Sequence, residues 1–388
     1  MKKVERLNFL NGIKVLSFLC VFHVHFFNAF YPAIYSLDPA DSHTDMGIEA
    51  IIGCSPLNII SAGKFTVRLF LILSGFFVAR KYFLTGKETA IGEGAFKKYF
   101  RLVVPILFVN VLAAVLMYAG CYKNAEAAVA ANSVTFFGSY NQFPPSIFGA
   151  AKEALWDCFF WEANTYNGPL WFIYYEFLGS LLVSAILVLF GKSRARYVVY
   201  GVSALLLARG DFLAPICGMV AGDLLYNDYK WVKKLQEQKW LLWLGFFGAL
   251  LIATYPPIGE YSQVVKQSVY GLFPAKVLLY YIGAGTVVLF CCCSLEKLQK
   301  ALTGRVFDFF CEISYCFYLI HFPVLCTVSS VFYLWLKDRV NYHVLALMNY
   351  ILTIAVCTGL SWLLHRFVEK PGIRLAESVT KKLFQKGA

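Results

Sequence analysis

The chain is 388 residues long, 59% hydrophobic and only 15% charged, with a formal net charge of +12 and a mean hydropathy of +0.61. About a quarter of a soluble domain is ordinarily charged, so there is too little charge here to cover a water-facing surface. Lysine and arginine cluster between alternate apolar runs and build no basic face interleaved with aromatics, which argues against nucleic acid as a partner and for a multispanning membrane protein.

About ten runs approach the ~20 apolar residues that a helix needs to cross hydrocarbon. They cover residues 9–30, 66–83, 102–120, 169–190, 196–209, 211–226, 240–254, 277–293, 307–336 and 344–366, the fifth to seventh being short. The first is too long for a signal h-region and lacks a small-residue cleavage site. With the N-terminus inside, inner segments carry 25 of the 35 lysines and arginines and outer segments 8, Lys14 and Arg68 lying within spans. That bias makes both termini cytoplasmic. The expected architecture is an all-α integral membrane protein, a polytopic bundle of about ten transmembrane helices. No internal repeat or appended soluble domain interrupts residues 1–388, so one domain is expected.

A charge at mid-helix costs at least ~2.5–3.5 kcal/mol in the membrane, so each polar residue inside a span calls for a reason. In the first span Lys14 and His25 are eleven residues apart, three turns plus about 20°, and share one stripe roughly 16 Å long. His23 points about 200° away from His25. His25 is therefore the first candidate for chemistry, because a neutral imidazole can take the proton from an attacking hydroxyl in acyl transfer. The alternative is a histidine that only bonds a neighbour. Lys14 either snorkels to headgroups or serves the donor side of a reaction.

Arg68 lies near the outer start of the second span, and Arg80 and Lys81 close it. Lys97, Lys98 and Arg101 then precede the third span. This cluster reads as a topological signal or as an anion site for a donor bearing phosphates. The longest outer segments are 31–65 and 121–168, and Trp156, Phe159, Phe160 and Trp161 suggest a short interfacial helix in the second. Asn167-Gly168-Pro169-Leu170-Trp171 enters the fourth span, and Glu176 follows two turns in. A carboxylate about 10 Å deep needs a partner. It either orients the His25 imidazole or pairs with a buried cation such as Arg68. In the ninth span Ser314, Tyr318 and His321 share one face before Pro323, which frees the carbonyl of Leu319 and predicts a kink. Such a stripe suits a cavity lining or an interhelical network.

Twelve cysteines include no CxxC pair, so no metal or redox site is expected. Cys291-Cys292-Cys293 is read as packing rather than lipidation, and Cys54, Cys121 and Cys158, in outer loops, leave room for one disulfide.

Taken together, these motifs resemble the acyltransferase-3 family of membrane O-acyltransferases over nearly the whole chain. Leu10-Asn11-Gly12-Ile13-Lys14 resembles its Leu-Asp-Gly-Leu-Arg, with His25 at the Arg/Lys-x10-His spacing. Leu71-Ile72-Leu73-Ser74-Gly75-Phe76, Lys98-x-x-Arg101, Leu170-Trp171-x4-Glu176, Ile313-Ser314-Tyr315-x-x-Tyr318-Leu319-Ile320-His321-x-Pro323 and Glu369-Lys370-Pro371 follow in the family's order. Lys14, Asn11 and Lys98 depart from the family's arginine, aspartate and arginine. The resemblance implies an O-acyltransferase that moves an acyl group, usually acetyl, from cytoplasmic acyl-CoA to a sugar hydroxyl of a cell-envelope or lipid-linked glycan. Acyl-CoA is then a co-substrate and no cofactor is resident. The expected location is a bacterial cytoplasmic (inner) membrane. Many relatives carry a fused extracytoplasmic hydrolase-like domain. Without one, transfer to the acceptor rests with the membrane domain or a separate extracytoplasmic transferase partner. In this frame His25 and Glu176 are the catalytic candidates and Lys14, Lys98 and Arg101 the donor-binding ones. Arg68, Trp171, Ser314, Tyr318 and His321 are read as acceptor or cavity lining. The rival reading is a multispanning transporter or flippase of a glycan or acyl-containing substrate, with His25, Glu176 and His321 along its pathway.

Overall fold

The computed structural model describes residues 7–256 and 277–384, and the described residues are helical with no strands. Ten long helices follow the apolar runs. They are α1 (Phe9–Phe30), α2 (Gly63–Thr85), α3 (Glu88–Tyr118), α4 (Trp171–Phe190), α5 (Arg196–Leu206), α6 (Leu213–Tyr226), α7 (Lys239–Ala253), α8 (Val277–Ser294), α9 (Arg305–Val324) and α10 (Tyr342–Leu364). An eleventh, α11 (Lys370–Phe384), is amphipathic. Among the described residues six helical stretches are long and apolar enough to cross a membrane, while α5, α6 and α7 are shorter. The connection between α7 and α8 lies outside the described residues.

Helix α3 begins at Glu88, well before the apolar run at 102. Charge ends an apolar stretch but does not end a helix. Gly86, in the left-handed conformation at φ 66°, is what closes α2 and lets α3 start afresh. Beyond α10 the chain continues through a π-turn at His365–Glu369 into α11. Cys54, Cys121 and Cys158 are all free thiols, so the outer-loop disulfide does not form. The aromatic segment at 156–161 is helical only to Phe160. Trp156 and Trp161 point outward and Phe159 is buried.

Two motifs act through backbone proximity. A Cβ added at Gly75 would sit 1.9 Å from the carbonyl oxygen of Pro215, and one at Gly218 would sit 1.9 Å from that of Ile72. Helices α2 and α6 therefore touch backbone to backbone, as small residues permit in membranes. Gly75→Ala is expected to destabilise the protein by more than the ~1–3 kcal/mol of ordinary overpacking, because no side chain can move aside. A thermal-unfolding scan in detergent checks this.

The second motif concerns Pro323, which removes the N–H that Leu319 would have bonded. The freed carbonyl accepts a hydrogen bond from Asn167 Nδ2 at 2.8 Å, so the segment entering α4 is tied to α9. The helix runs on through Pro323, and the irregularity falls just after it, as a π-turn at Leu325–Ser329. Asn167→Ala leaves a buried carbonyl without a donor and is expected to cost about 1–3 kcal/mol, read as a lowered unfolding midpoint.

Smaller networks fix the ends. Asn11 Nδ2 donates to Asp308 Oδ1 at 2.7 Å, which accounts for an amide where the family has an acid, since two carboxylates would repel. Glu369 Oε2 accepts from Cys316 Sγ at 3.2 Å and lies 2.7 Å from His365 Nδ1, joining the junction of α10 and α11 to α9. These three ligand-type atoms lie within 4.8 Å of one another, the thiol and the imidazole both meeting Glu369 Oε2.

Candidate active site

Two cavities meet inside the bundle. The larger, of about 620 Å³, is lined by Lys14, Ser74, Lys98, Arg101, Glu176 and Ser314, among others. We call it the cationic cavity. The smaller, of about 130 Å³, is lined by His25, Asn28, Tyr35, Tyr140 and Trp171 and is the imidazole cavity. Val67 and Tyr318 line both, so they form the partition between them. Tyr318 is held by its hydroxyl, which donates to the carbonyl oxygen of Pro169.

The stripe on α1 spans the two spaces. Lys14 lines the cationic cavity with its ammonium 4.6 Å from the centre of the Phe77 ring. His25 lines the other, and its Nδ1 is buried without a hydrogen-bond partner. Its ring sits 5.2 Å from that of His321, centre to centre. His321 is buried, with Nδ1 3.2 Å from the carbonyl oxygen of Phe317, and lines neither cavity. His23 differs entirely. Its Nδ1 is 2.9 Å from the carbonyl oxygen of Ile60 and its Nε2 is 2.8 Å from the Tyr350 hydroxyl, so both ring nitrogens are satisfied.

Glu176 does not orient the imidazole. Its Oε1 is 2.7 Å from the Lys98 ammonium, and both groups line the cationic cavity. Lys98 also donates to Ser74 Oγ and to the backbone carbonyl of Glu176, each at 2.9 Å. An ammonium has three N–H bonds, so Lys98 is saturated and fastens α3 to α2 and α4. Glu176 Oε2, by contrast, is buried and unpartnered.

Arg68 is not the partner of Glu176 either. It forms a two-pronged bridge to Asp211, with both N···O distances 2.8 Å, and its guanidinium lies 5.4 Å from the Trp171 ring centre. It lines neither cavity; its partner Trp171 does. Arg80, expected near the anion site, is buried and donates to the Tyr226 hydroxyl at 2.8 Å. Lys97 and Arg101 remain at the cationic cavity.

The loop that delivers Asn167 and Trp171 is pinned by Glu153. Its carboxylate accepts from the backbone N–H of Thr165 at 2.9 Å and of Tyr166 at 3.2 Å, and from Asn110 Nδ2 at 3.1 Å. Burial pushes its carboxyl above the ordinary range, and the donated hydrogen bonds pull the other way.

Sequence reasoning missed Ser74 as the partner of Lys98, although the residue stands inside a quoted motif. It also missed Asn28, Tyr35 and Tyr140. Asn28 follows His25 by three residues, the spacing that puts it on the same helix face. Tyr35 and Tyr140 sit in outer segments with no periodicity to reveal them.

A family model described as an acyltransferase domain matches residues 7–366. No curated protein and no solved structure matches this chain.

Proposed function

The chain belongs to the acyltransferase-3 family, and from that premise we propose that it carries an acyl group, acetyl in the first instance, from cytoplasmic acyl-CoA to a hydroxyl of a cell-envelope or lipid-linked carbohydrate. The reading includes the orientation argued from charge, with both termini and the cationic cavity toward the cytoplasm of a bacterial inner membrane. The transporter alternative draws no support from the family match.

The observation that carries the proposal is the shared partition. One cavity offers cations suited to an anionic donor, the other an imidazole with an unpartnered nitrogen, and Val67 and Tyr318 line both. Lys97, Arg101 and Lys14 attract the donor's phosphates. Lys98, with its donors already engaged, acts as a strut that holds this wall. The aromatic rings of Tyr35, Tyr140 and Trp171 face the acceptor, and a sugar presents apolar faces that such rings can pack against. The thioester reaches the partition, and the acceptor hydroxyl lies against His25.

His25 takes the hydroxyl proton as the oxygen attacks the thioester carbonyl carbon. A carbon–oxygen bond forms, the carbon–sulfur bond breaks, and the proton held by His25 balances the departing thiolate. In this direct route Glu176 is a positioning residue that acts through Lys98.

Vesicles containing the purified protein test the proposal when supplied with acyl-labelled acyl-CoA on the side of Lys97 and Arg101 and an acceptor glycan on the other. Mass spectrometry should find the label as an ester on the glycan. Label that crosses the membrane without forming an ester would overturn the assignment and restore transport.

A further inference from the structure

A third hollow, of about 440 Å³, shares no lining residue with either cavity and lies between the start of α9 and the junction of α10 with α11. Arg366, Lys370 and Arg374 line it. They recur every four residues from the π-turn into α11 and all face this one hollow. All three are exposed. Among the described residues none of them takes part in an ion pair. Glu312 is the one carboxylate on the lining, against these three cations.

The rim is aromatic. Phe309, Trp362 and Phe367 line the same hollow and are exposed, and the Arg366 guanidinium lies 5.4 Å from the Trp362 ring centre and 5.8 Å from that of Phe367. Cations with unclaimed charge beside outward-facing aromatic rings, where a membrane helix passes into an amphipathic one, match a molecule that is anionic at one end and apolar at the other. Basic pockets of this kind between transmembrane helices suit the headgroups of acidic lipids.

We propose that this hollow binds the phosphate of an anionic phospholipid, with Arg366, Lys370 and Arg374 on the headgroup and Phe309, Trp362 and Phe367 against the acyl chains. Guanidinium groups bond phosphate oxygens in pairs, and the two arginines flank Lys370 along the stripe. A zwitterionic headgroup fits less well, since its own cation meets three others and one acid. The site is separate from acyl transfer but adjoins its machinery. Helix α11 turns Ile373, Ala376 and Glu377 toward the cationic cavity, so a bound lipid braces the helix that covers the donor space.

The test uses the full chain, purified in detergent and stripped of lipid, titrated with phosphatidylglycerol, phosphatidylcholine, inorganic phosphate or acyl-CoA while intact complexes are weighed by native mass spectrometry. Phosphatidylglycerol should bind most tightly. Replacing all three cations (R366Q/K370Q/R374Q) should weaken it on the order of 100-fold, and Lys370→Gln alone about fivefold. Lys381→Gln with Lys382→Gln, which removes charge from the last turn of α11 instead, should keep the affinity of the unaltered protein. Equal binding of the two lipids, or binding of phosphatidylglycerol that is insensitive to Lys370→Gln, would overturn the proposal. Equal displacement of the lipid by inorganic phosphate or acyl-CoA would also overturn it, because the hollow would then be a site for free phosphate esters. Loss of acyl transfer in vesicles would bear on the reading of the two cavities and not on this one.

Discussion

A His25→Ala variant is expected to transfer acyl groups about 100- to 10,000-fold more slowly than the unaltered protein, the range that a positioned general base contributes. Its unfolding midpoint should barely move. The reason lies in what the ring does in the resting protein: Nδ1 is buried without a partner, so no hydrogen bond is lost with it. The space left behind opens into a cavity that His25 already lines. His23→Ala gives the opposite result. It removes two hydrogen bonds, one to the Ile60 carbonyl and one to the Tyr350 hydroxyl, and should cost about 1–3 kcal/mol of stability with little change in rate. Single-turnover transfer of labelled acyl groups and thermal unfolding, measured on both variants, separate the two histidines. A His25→Ala protein that transfers at the unaltered rate removes the base from the mechanism. One that unfolds far earlier shows instead that the ring is structural.

Much of this arrangement was legible in the sequence because it follows from helix periodicity. The eleven-residue separation of Lys14 and His25 sets them on one face three turns apart, and the structure gives each its own cavity. The opposed direction of His23 followed from the same arithmetic. Pro323 and the orphaned Leu319 carbonyl were equally local consequences of a missing N–H. The family model covers residues 7–366, nearly all the chain.

What sequence could not supply were the contacts between helices. The partner of Glu176 was a choice among cations at similar depth, and depth along the bundle axis says nothing about azimuth. The structure selects Lys98, 78 residues away, over both His25 and Arg68. Arg68 pairs with Asp211, the first residue of the sixth apolar run, which no sequence pattern singled out. Six of the helical stretches among the described residues are long and apolar enough to cross a membrane, against ten apolar runs in the sequence. Helices α5 and α7 are apolar but short and bury few of their side chains, whereas α6 is short and largely buried, chiefly against α2. Gly75 and Gly218 show where that burial is tightest. The carbonyl partner supplied by Asn167 was likewise hidden, since only the folded bundle brings residues 167 and 319 together.

Lys98→Met is the variant expected to damage the fold most among the cavity residues. It strands the Glu176 carboxylate, whose Oε2 already lacks a partner and whose Oε1 would then lose the ammonium 2.7 Å away. Breaking a buried pair from one side costs about 3–5 kcal/mol. The two side chains are 18% and 19% exposed, so the lower end, about 3 kcal/mol, applies. Glu176→Gln should cost less, because Lys98 keeps Ser74 Oγ and the backbone carbonyl of residue 176 as acceptors. Replacing both charges with apolar side chains of similar size, Lys98→Met with Glu176→Leu, should recover most of the stability, since desolvation of the pair largely cancels its attraction. Donor affinity need not recover with it. If Lys98 is a strut whose wall positions Lys97 and Arg101, the refolded double variant should bind acyl-CoA nearly as well as the original. If its charge meets the donor directly, the double variant should be stable but weak in binding. Unfolding midpoints and acyl-CoA titrations on the three variants decide between these roles. A Lys98→Met protein as stable as the original would show that the pair does not hold α3 against α4.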